Sequence, residues 1–240
     1  MHISDSVQIQ RIDQTKINYY RLKRWFDLVC AIILLFIFFP VFLLIAVFII
    51  LDSDGPVLFR QERVGVSWKY QDGHINWCRT LFTCYKFRTM GVNAGSALHQ
   101  EYMKAFINDD KSEMTNIQGE GTDVNKLIRD PRITRIGRIL RKCSADELPQ
   151  LINVINGEMS LVGPRPAIPY EVQEYQTWHH DRLNALPGMT GLWQVTARSS
   201  ADFDQMVRLD IKYIKEQSFW LDLKILLKTP LVVIKCNGAL

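Results

Sequence analysis

The sequence predicts an α+β, mostly helical fold, in which a compact cytosolic domain with a few short strands stands on one N-terminal membrane helix. Three observations predict it. Residues 28–51 are uncharged and almost wholly apolar, long enough for the roughly 20 residues that a membrane helix needs. Residues 56–63 (P-V-L-F-R-Q-E-R) and 83–88 (T-C-Y-K-F-R) mix aromatic and basic residues in the manner of short strands. Most of the remainder places its apolar residues at helical spacing. The organisation that follows is a tail over 1–20, a membrane helix with Pro40 near its middle over 21–55, and one folded domain over 56–240 that carries an insert or mobile loop at 92–128.

The apolar block follows the basic cluster Arg21, Lys23 and Arg24 and ends at Asp52 and Asp54. It starts too late and runs too long for a secretory signal, and no small-x-small cleavage site follows it. Pro40 lies near its middle, where a proline removes one helical hydrogen bond and kinks or breaks the helix. Each half has about 12 residues, or roughly 18 Å, which reaches about halfway across a hydrocarbon core of roughly 30 Å. The basic cluster predicts a cytoplasmic N-terminus. A spanning helix would then put the rest of the chain outside the cell, whereas a hairpin bent at Pro40 keeps it inside. Proline also occurs in spanning helices, so the residues alone leave both arrangements open.

After the anchor, 96–107 has helical spacing (Leu98, Tyr102, Ala105, Phe106), and 108–125 is polar and reads as a mobile surface loop. Helical spacing resumes at 133–142, with Ile133, Ile136 and Leu140 on one side, and again at 169–178 and 202–216. Residues 220–234 are apolar apart from Asp222, Lys224, Lys228 and Thr229, and Pro230 is expected to break them. Such a segment is either core or an interfacial helix lying on the bilayer.

Apolar residues make up 48% of the chain, enough for a core, and the net charge of +4 suggests an anionic partner. Lipid headgroups, nucleotide phosphates and nucleic acid all meet that description. The five cysteines (Cys30, Cys78, Cys84, Cys143, Cys236) are odd in number and form no C-x-x-C pair, which suits a reduced compartment. No Walker A motif, G-x-G-x-x-G turn or G-x-S-x-G elbow occurs. No nucleic-acid-binding module is recognisable either.

Chemistry concentrates in residues 141–166, R-K-C-S-A-D-E-L-P-Q-L-I-N-V-I-N-G-E-M-S-L-V-G-P-R-P. Asp146 and Glu147 stand side by side after arginines at 129, 132, 135, 138 and 141. One acid can attack or take a proton while the other holds a metal, a combination suited to phosphate chemistry. A carboxylate attacking a diphosphate meets repulsion of about 4 kcal/mol per charge pair at 4 Å and an effective dielectric of 20, so cations must offset it. Lys86 and Arg88 in Y-K-F-R-T-M, Arg141 five residues before Asp146, and Arg165 on the stiff G-P-R-P loop are the candidate phosphate ligands. Structural readings stand beside these. Ser144 and Glu147 also fit a capping box, although Pro149 would then fall in the second turn. The arginines equally suit a solvated basic face, Lys86 and Arg88 surface charge, and G-P-R-P a plain loop. Residues 186–191 (L-P-G-M-T-G) read as a turn, Asp210 and Tyr213 fall one turn apart on a helix, and His179-His180 lacks the partners of a metal site.

These pieces resemble the bacterial sugar transferases, monotopic enzymes that move a phosphosugar from a nucleotide diphosphate-sugar to polyprenyl phosphate. The matching motifs are R-L-K-R-W-F-D, the Pro-centred apolar run, G-P-V-L-F-R-Q-E-R-V-G, Y-K-F-R-T-M and D-P-R-I-T-R-I-G-R-I-L-R-K, then S-A-D-E-L-P-Q-L-I-N-V-I-N-G-E-M-S-L-V-G-P-R-P, P-G-M-T-G-L-W-Q-V and R-L-D-I-K-Y-I. They run in order over about 21–235. The resemblance implies a two-step reaction at the cytoplasmic face of a bacterial inner membrane. Asp146 attacks a UDP-sugar and releases UMP, and undecaprenyl phosphate then takes the phosphosugar from the aspartate, initiating exopolysaccharide, capsule or O-antigen assembly. It further implies Mg²⁺ on Glu147; Lys86, Arg88, Arg141, Arg165 and Asp210 at the substrates; a re-entrant helix kinked at Pro40; membrane lipid but no nucleic acid as partner; and a homo-oligomer as one possible state. A non-catalytic scaffold that keeps the fold is the competing reading. Ala145 and Ala197 depart from the Leu and Gly common in the family, smaller members have a shorter segment at 92–128, and longer members carry a further N-terminal membrane region that these 240 residues do not include.

Overall fold

In the computed structural model, residues 10–11, 16–71, 74–92, 94–118, 130, 132–197 and 201–234 are described. Strand β1 (Gln10–Arg11) is followed by the 36-residue helix α1 (Ile17–Asp52). At 1.5 Å per residue α1 is about 54 Å long. It is the one described helix long and apolar enough to cross a membrane. Helical structure runs unbroken through Pro40, so the apolar block is one helix and not two.

Both ends of α1 pack on the folded domain, and its middle does not. Tyr20, Lys23, Asp27 and Ala31 are buried at helical spacing near the start, and Ile45 and Ile49 near the end. No residue from 32 to 44 is buried, and Ile33, Phe36, Ile37 and Leu44 are exposed. The N-terminal half joins a core of Phe82, Leu151, Val154, Val162, Tyr213 and Ile225. The C-terminal half packs with Phe87 and Leu140.

Strands β2 (Leu58–Gln71) and β3 (His74–Phe87) form an antiparallel hairpin, paired from Leu58↔Phe87 to Gln71↔His74, with β1 on the other edge of β3. The two stretches expected to be short strands are thus the bases of 14-residue strands. The outer part of the hairpin lacks clean alternation because it is held by an aromatic cluster, in which Trp68 and Trp77 meet edge to face at 4.9 Å and Tyr20 of α1 packs on both.

Helix α2 (Ala97–Ile107) starts as expected and contributes Tyr102, Phe106 and Ile107 to a second core with Val64, Trp193 and Phe203. Helix α3 (Lys111–Gln118) corrects the expected loop: Asp110 accepts the Glu113 N–H at 3.1 Å, a cap that lets a polar segment form a helix. The expected residues 119–125, and with them Arg129, lie outside the described set. Helix α4 (Arg135–Lys142) is capped by Thr134, whose hydroxyl accepts from Gly137 N. A 3₁₀ turn (Ala145–Glu147), helix α5 (Gln150–Asn156) and strand β4 (Ser160–Val162) follow. The helix expected at 169–178 is split into α6 (Pro169–Gln173) and a 3₁₀ segment (Thr177–Leu183). Strand β5 (Gly188–Thr190) lies parallel to β4, and α7 (Leu192–Thr196) and α8 (Phe203–Glu216) lead to the last helix.

Helix α9 (Phe219–Ile234) passes through Pro230 without a break. A proline there removes the bond its own N–H would make and crowds the preceding turn, yet the buried Asp222 and Ile225 hold the helix on the domain. Asp222 is the hub of a buried polar cluster: Tyr213 donates to one carboxylate oxygen at 2.7 Å, and Tyr19 and Lys23 donate to the other at 2.8 Å each. Asp27 accepts from Ser160 at 2.6 Å and lies 3.9 Å from Lys23. These bonds tie α1 to α8, α9 and β4.

Candidate active site

Asp146 and Glu147 sit on the 3₁₀ turn between α4 and α5. Ser144 before it takes φ +55°, a left-handed conformation uncommon for a non-glycine residue, and makes no capping bond with its side chain. The capping box is therefore absent, and the turn owes its shape to backbone bonds from Glu147 N to Ser144 O and from Leu148 N to Ala145 O. Pro149 then starts α5 in the position where its missing N–H costs least. Asn153 fastens α5 to the hairpin: its amide donates to Thr83 O at 2.6 Å and its carbonyl oxygen accepts Tyr85 N at 3.0 Å. That seam sets Lys86 beside the turn, where its ammonium meets Glu147 Oε1 at 2.6 Å.

The two acids are driven apart. Burial pushes Asp146 up to about 6; Lys86 and Arg141 pull it down, and Glu147 adds to the rise. Burial acts on Glu147 in the same sense, but Lys86, Arg165 and Arg63 outweigh it and hold that carboxyl below its usual range. Separated values on adjacent acids are a common mark of divided roles. Asp146 is buried at 9% exposure, whereas the Glu147 side chain is 33% exposed.

Arg141 donates from Nε to Thr89 Oγ1 at 3.0 Å and lies in the field of Asp146 and Asp130. Arg135 and Arg138 are exposed on the outer side of α4, the solvated face that the spacing allowed. Gly137 is required there, because a side chain at that position would run into the Thr89 backbone.

The G-P-R-P loop is fixed at four points. Gly163 N donates to Thr190 O and Gly188 N to Pro164 O, at 2.9 and 2.8 Å. Arg63 donates to Pro166 O at 2.7 Å, and Val64 N to Ala167 O at 2.9 Å. Arg165 itself makes no hydrogen bond with the described residues, and its charge reaches Glu147, His99, Tyr170 and Asp210. A rigid loop thus holds the Arg165 charge within electrostatic reach of Glu147.

Two of the expected substrate residues are engaged inside the protein. Arg88 is 5% exposed, and its guanidinium is spent on the C-terminal end of α1. It donates to Pro56 O, Ser53 Oγ, Asp54 O and Ser53 O at 2.7–2.9 Å and to Gly55 O at 3.3 Å. Alternation along β3 puts Lys86 and Arg88 at equivalent positions, but the strand ends at Phe87, and the arginine turns back to the helix end. Asp210 is wholly buried and pairs with Arg182 at 2.6 Å. Burial pushes it up to about 6, against the pull of Arg182 and Arg165. It does not face open space. His179, fully buried, bonds Asp204 at 3.0 Å.

A resident metal cage of three or more His, Cys, Asp or Glu side chains is absent among the described residues. Mg²⁺ needs less, since one or two carboxylates and substrate phosphates commonly suffice. Glu147 fits that lesser role: its carboxyl is held ionised and partly exposed, and only Oε1 is engaged among the described residues. At Ala197 the backbone has φ −113°, which any residue adopts, so the glycine common in the family is not needed. Ala145 packs on the α1–α4 cluster. Sequence reading missed Asn153, Arg63 and Arg182; each lies outside any recognisable acid–base pattern and matters only through tertiary contacts.

Comparison with known proteins bears on this arrangement. A family described as bacterial sugar transferase matches residues 18–236. Over 218 residues the chain is 42% identical to the undecaprenyl-phosphate galactose phosphotransferase of Salmonella typhimurium, covering 91% of this chain and 41% of that protein. The UDP-galactose-lipid carrier transferase of Erwinia amylovora is 42% identical with the same coverage. The exopolysaccharide production protein ExoY of Rhizobium meliloti is 37% identical over 90% of this chain and 87% of its own length. The chain therefore spans about two fifths of the first two relatives and most of the third.

Proposed function

The chain belongs to the bacterial sugar transferase family, and from that premise we propose that it transfers a sugar-1-phosphate from a UDP-sugar to undecaprenyl phosphate on the cytoplasmic face of a bacterial inner membrane. The relatives' names supply the substrate class. The observation that carries the reading is the buried Asp146 beside the ionised, Lys86-paired Glu147. A scaffold would have no use for that arrangement.

Asp146 attacks the phosphorus that bears the sugar. An Oδ–P bond forms, the P–O bond to the nucleotide breaks, and UMP leaves with the electron pair. A phosphate oxygen of undecaprenyl phosphate then attacks the same phosphorus, and the Asp146 carboxylate leaves. One diphosphate is exchanged for another, so no further energy source is required. Lys86, Arg141 and Arg165 offset the charge that gathers as anion meets anion. Glu147 would hold Mg²⁺, which would neutralise phosphate charge.

The lipid acceptor calls for a site at the bilayer surface, and α1 supports such a position. Both of its ends pack on one domain while its apolar middle is bare. A helix standing straight across the bilayer would carry one end away from the domain. We therefore read α1 as re-entrant, bending about Pro40, with α9 lying at the interface through the exposed Trp220, Leu227 and Leu231.

Intact mass spectrometry after mixing the protein with donor alone tests the first step. The expected result is a phosphosugar adduct that Asp146→Asn abolishes together with UMP release. Turnover retained by that variant would remove Asp146 from the reaction, and a wild-type chain that releases no UMP from any donor would overturn the assignment as a whole.

A further inference from the structure

Residues opposed across an antiparallel pair project to the same side, so the pairs Phe59↔Lys86, Gln61↔Cys84 and Arg63↔Phe82 share one face of the β2–β3 hairpin. Most of that face is committed. Lys86 meets Glu147 at 2.6 Å. Cys84 and Phe82 are buried with Leu151 and Val154 of α5. Gln61 accepts from Arg63 at 2.6 Å, and Arg63 donates to Pro166 O, beside Arg165, at 2.7 Å. Phe59 is the exception, at 46% exposure. Single exposed apolar side chains are common on proteins. This one is set apart by its partner, because opposed Cβ atoms lie roughly 5 Å apart, which puts the phenyl group beside the side chain that pairs with Glu147.

The level of Phe59 in the molecule gives it a second neighbour. The base of the hairpin packs on the C-terminal half of α1, where Val57, Leu58 and Phe87 join Phe42, Ile45 and Ile49. The rings of Phe42 and Phe87 meet at 5.2 Å. Phe42 belongs to the stretch 32–44 of α1 in which no residue is buried. An apolar surface of that length calls for lipid, so the Leu58↔Phe87 end of the hairpin stands at the bilayer surface. Phe59 is the next residue along.

The two ends of this face differ in kind. Arg63 lies four residues further along β2, about 13 Å from Phe59 at 3.3 Å per residue, and Arg165 is within reach of its charge. That end is cationic and lies against the pinned loop. The Phe59 end is apolar and borders lipid. A polyprenyl phosphate is divided in the same way, since its phosphate must reach Asp146 while its hydrocarbon chain stays in the bilayer. A nucleotide-sugar is water-soluble and anionic, and suits the arginine end.

We propose that Phe59 is a binding residue for the lipid acceptor, its ring covering the isoprene units next to the phosphate on their way from Lys86 to the bilayer. The inference rests on the transfer reaction proposed above and gives its second substrate a place. The ring and the isoprene units shield one another from water. Such a contact serves only the step that uses the lipid.

The test separates the two half-reactions, with the full chain in detergent as wild type, Phe59→Ser and Phe59→Leu. With UDP-galactose or UDP-glucose alone, Phe59→Ser should form the phosphosugar adduct and release UMP at the wild-type rate. With farnesyl phosphate as acceptor, its KM should rise about tenfold, equivalent to about 1.4 kcal/mol of lost apolar contact. Phe59→Leu should recover most of that loss. Slower adduct formation in Phe59→Ser would place the ring at the donor, and an unchanged KM for farnesyl phosphate would remove it from the acceptor; either result overturns the inference. A defect seen only with undecaprenyl phosphate in vesicles, with farnesyl phosphate in detergent spared, would make Phe59 a bilayer contact and overturn it as well. If the wild-type chain forms no adduct and releases no UMP, the transfer reaction is refuted instead. Calorimetric binding of farnesyl phosphate then still decides the contact: binding about tenfold weaker to Phe59→Ser supports it, and equal binding overturns it.

Discussion

Asp146 carries its charge at neutral pH against the burial that opposes it. Its folded value of about 6 lies above the ordinary carboxylate value of 3.8. The protonated acid therefore stabilises the fold below the ordinary value, and that contribution is lost as pH rises through about 6. At neutral pH the ionised, buried carboxylate costs on the order of 2–3 kcal/mol. Asp146→Asn should consequently raise the thermal midpoint while abolishing turnover; a lower midpoint would contradict the buried-charge account. The same value sets the acid limb of kcat/KM. Activity should fall as pH drops through about 6, and because Lys86 lowers the titration of Asp146, Lys86→Met should move that limb to higher pH as well as slow the reaction. The apparent values belong to the acid pair jointly, so the measurement is the shift of the limb between wild type and variant.

At the level of elements, two fastenings decide where the site stands. Arg88 donates five hydrogen bonds into the loop after α1. Arg88→Ala should destabilise the protein by about 2–4 kcal/mol, since hydrogen bonds to charged groups are worth about 1.5–3 kcal/mol each and do not add fully. Differential scanning fluorimetry would register the loss, while the KM for donor of the folded fraction should stay near wild type. A raised KM at unchanged stability would restore the phosphate-ligand role. At the other end, Lys23 is 7% exposed and bonded to Asp222. Lys23→Met leaves that carboxylate buried without its cation, a change that typically costs about 3–5 kcal/mol. The double variant with Asp222→Leu should recover part of the loss, which a double-mutant cycle would quantify.

At the scale of the whole molecule, the arrangement turns on α1. Cysteine labelling in a background without the native cysteines, with single probes at Ser4 and Ser67, should find both positions on the same side of the membrane. Opposite sides would contradict the re-entrant reading. The closed circuit of contacts gives that prediction its basis: β2–β3 holds Lys86, α5 is sewn to β3 by Asn153, and α1 packs on the domain on both sides of its bare centre.

The sequence by itself determined the class of fold and the place of an acid pair within it. An acid pair, a run of apolar residues and helical spacing are local properties of the chain, and so Asp146, Glu147, the anchor, α2, α4 and α8 were all legible. Thr134 and Asp202 cap the starts of α4 and α8. The tertiary structure alone decided what each cation does. Lys86, Arg88, Arg141 and Arg165 are alike as charges in a sequence, yet one pairs with Glu147, one closes a helix end, one bonds Thr89 and one stays free among the described residues. It also decided that Asp210 faces Arg182 inside the protein. The physical reason is that burial and hydrogen-bond pairing depend on residues far apart in the chain, whereas periodicity and charge clustering do not.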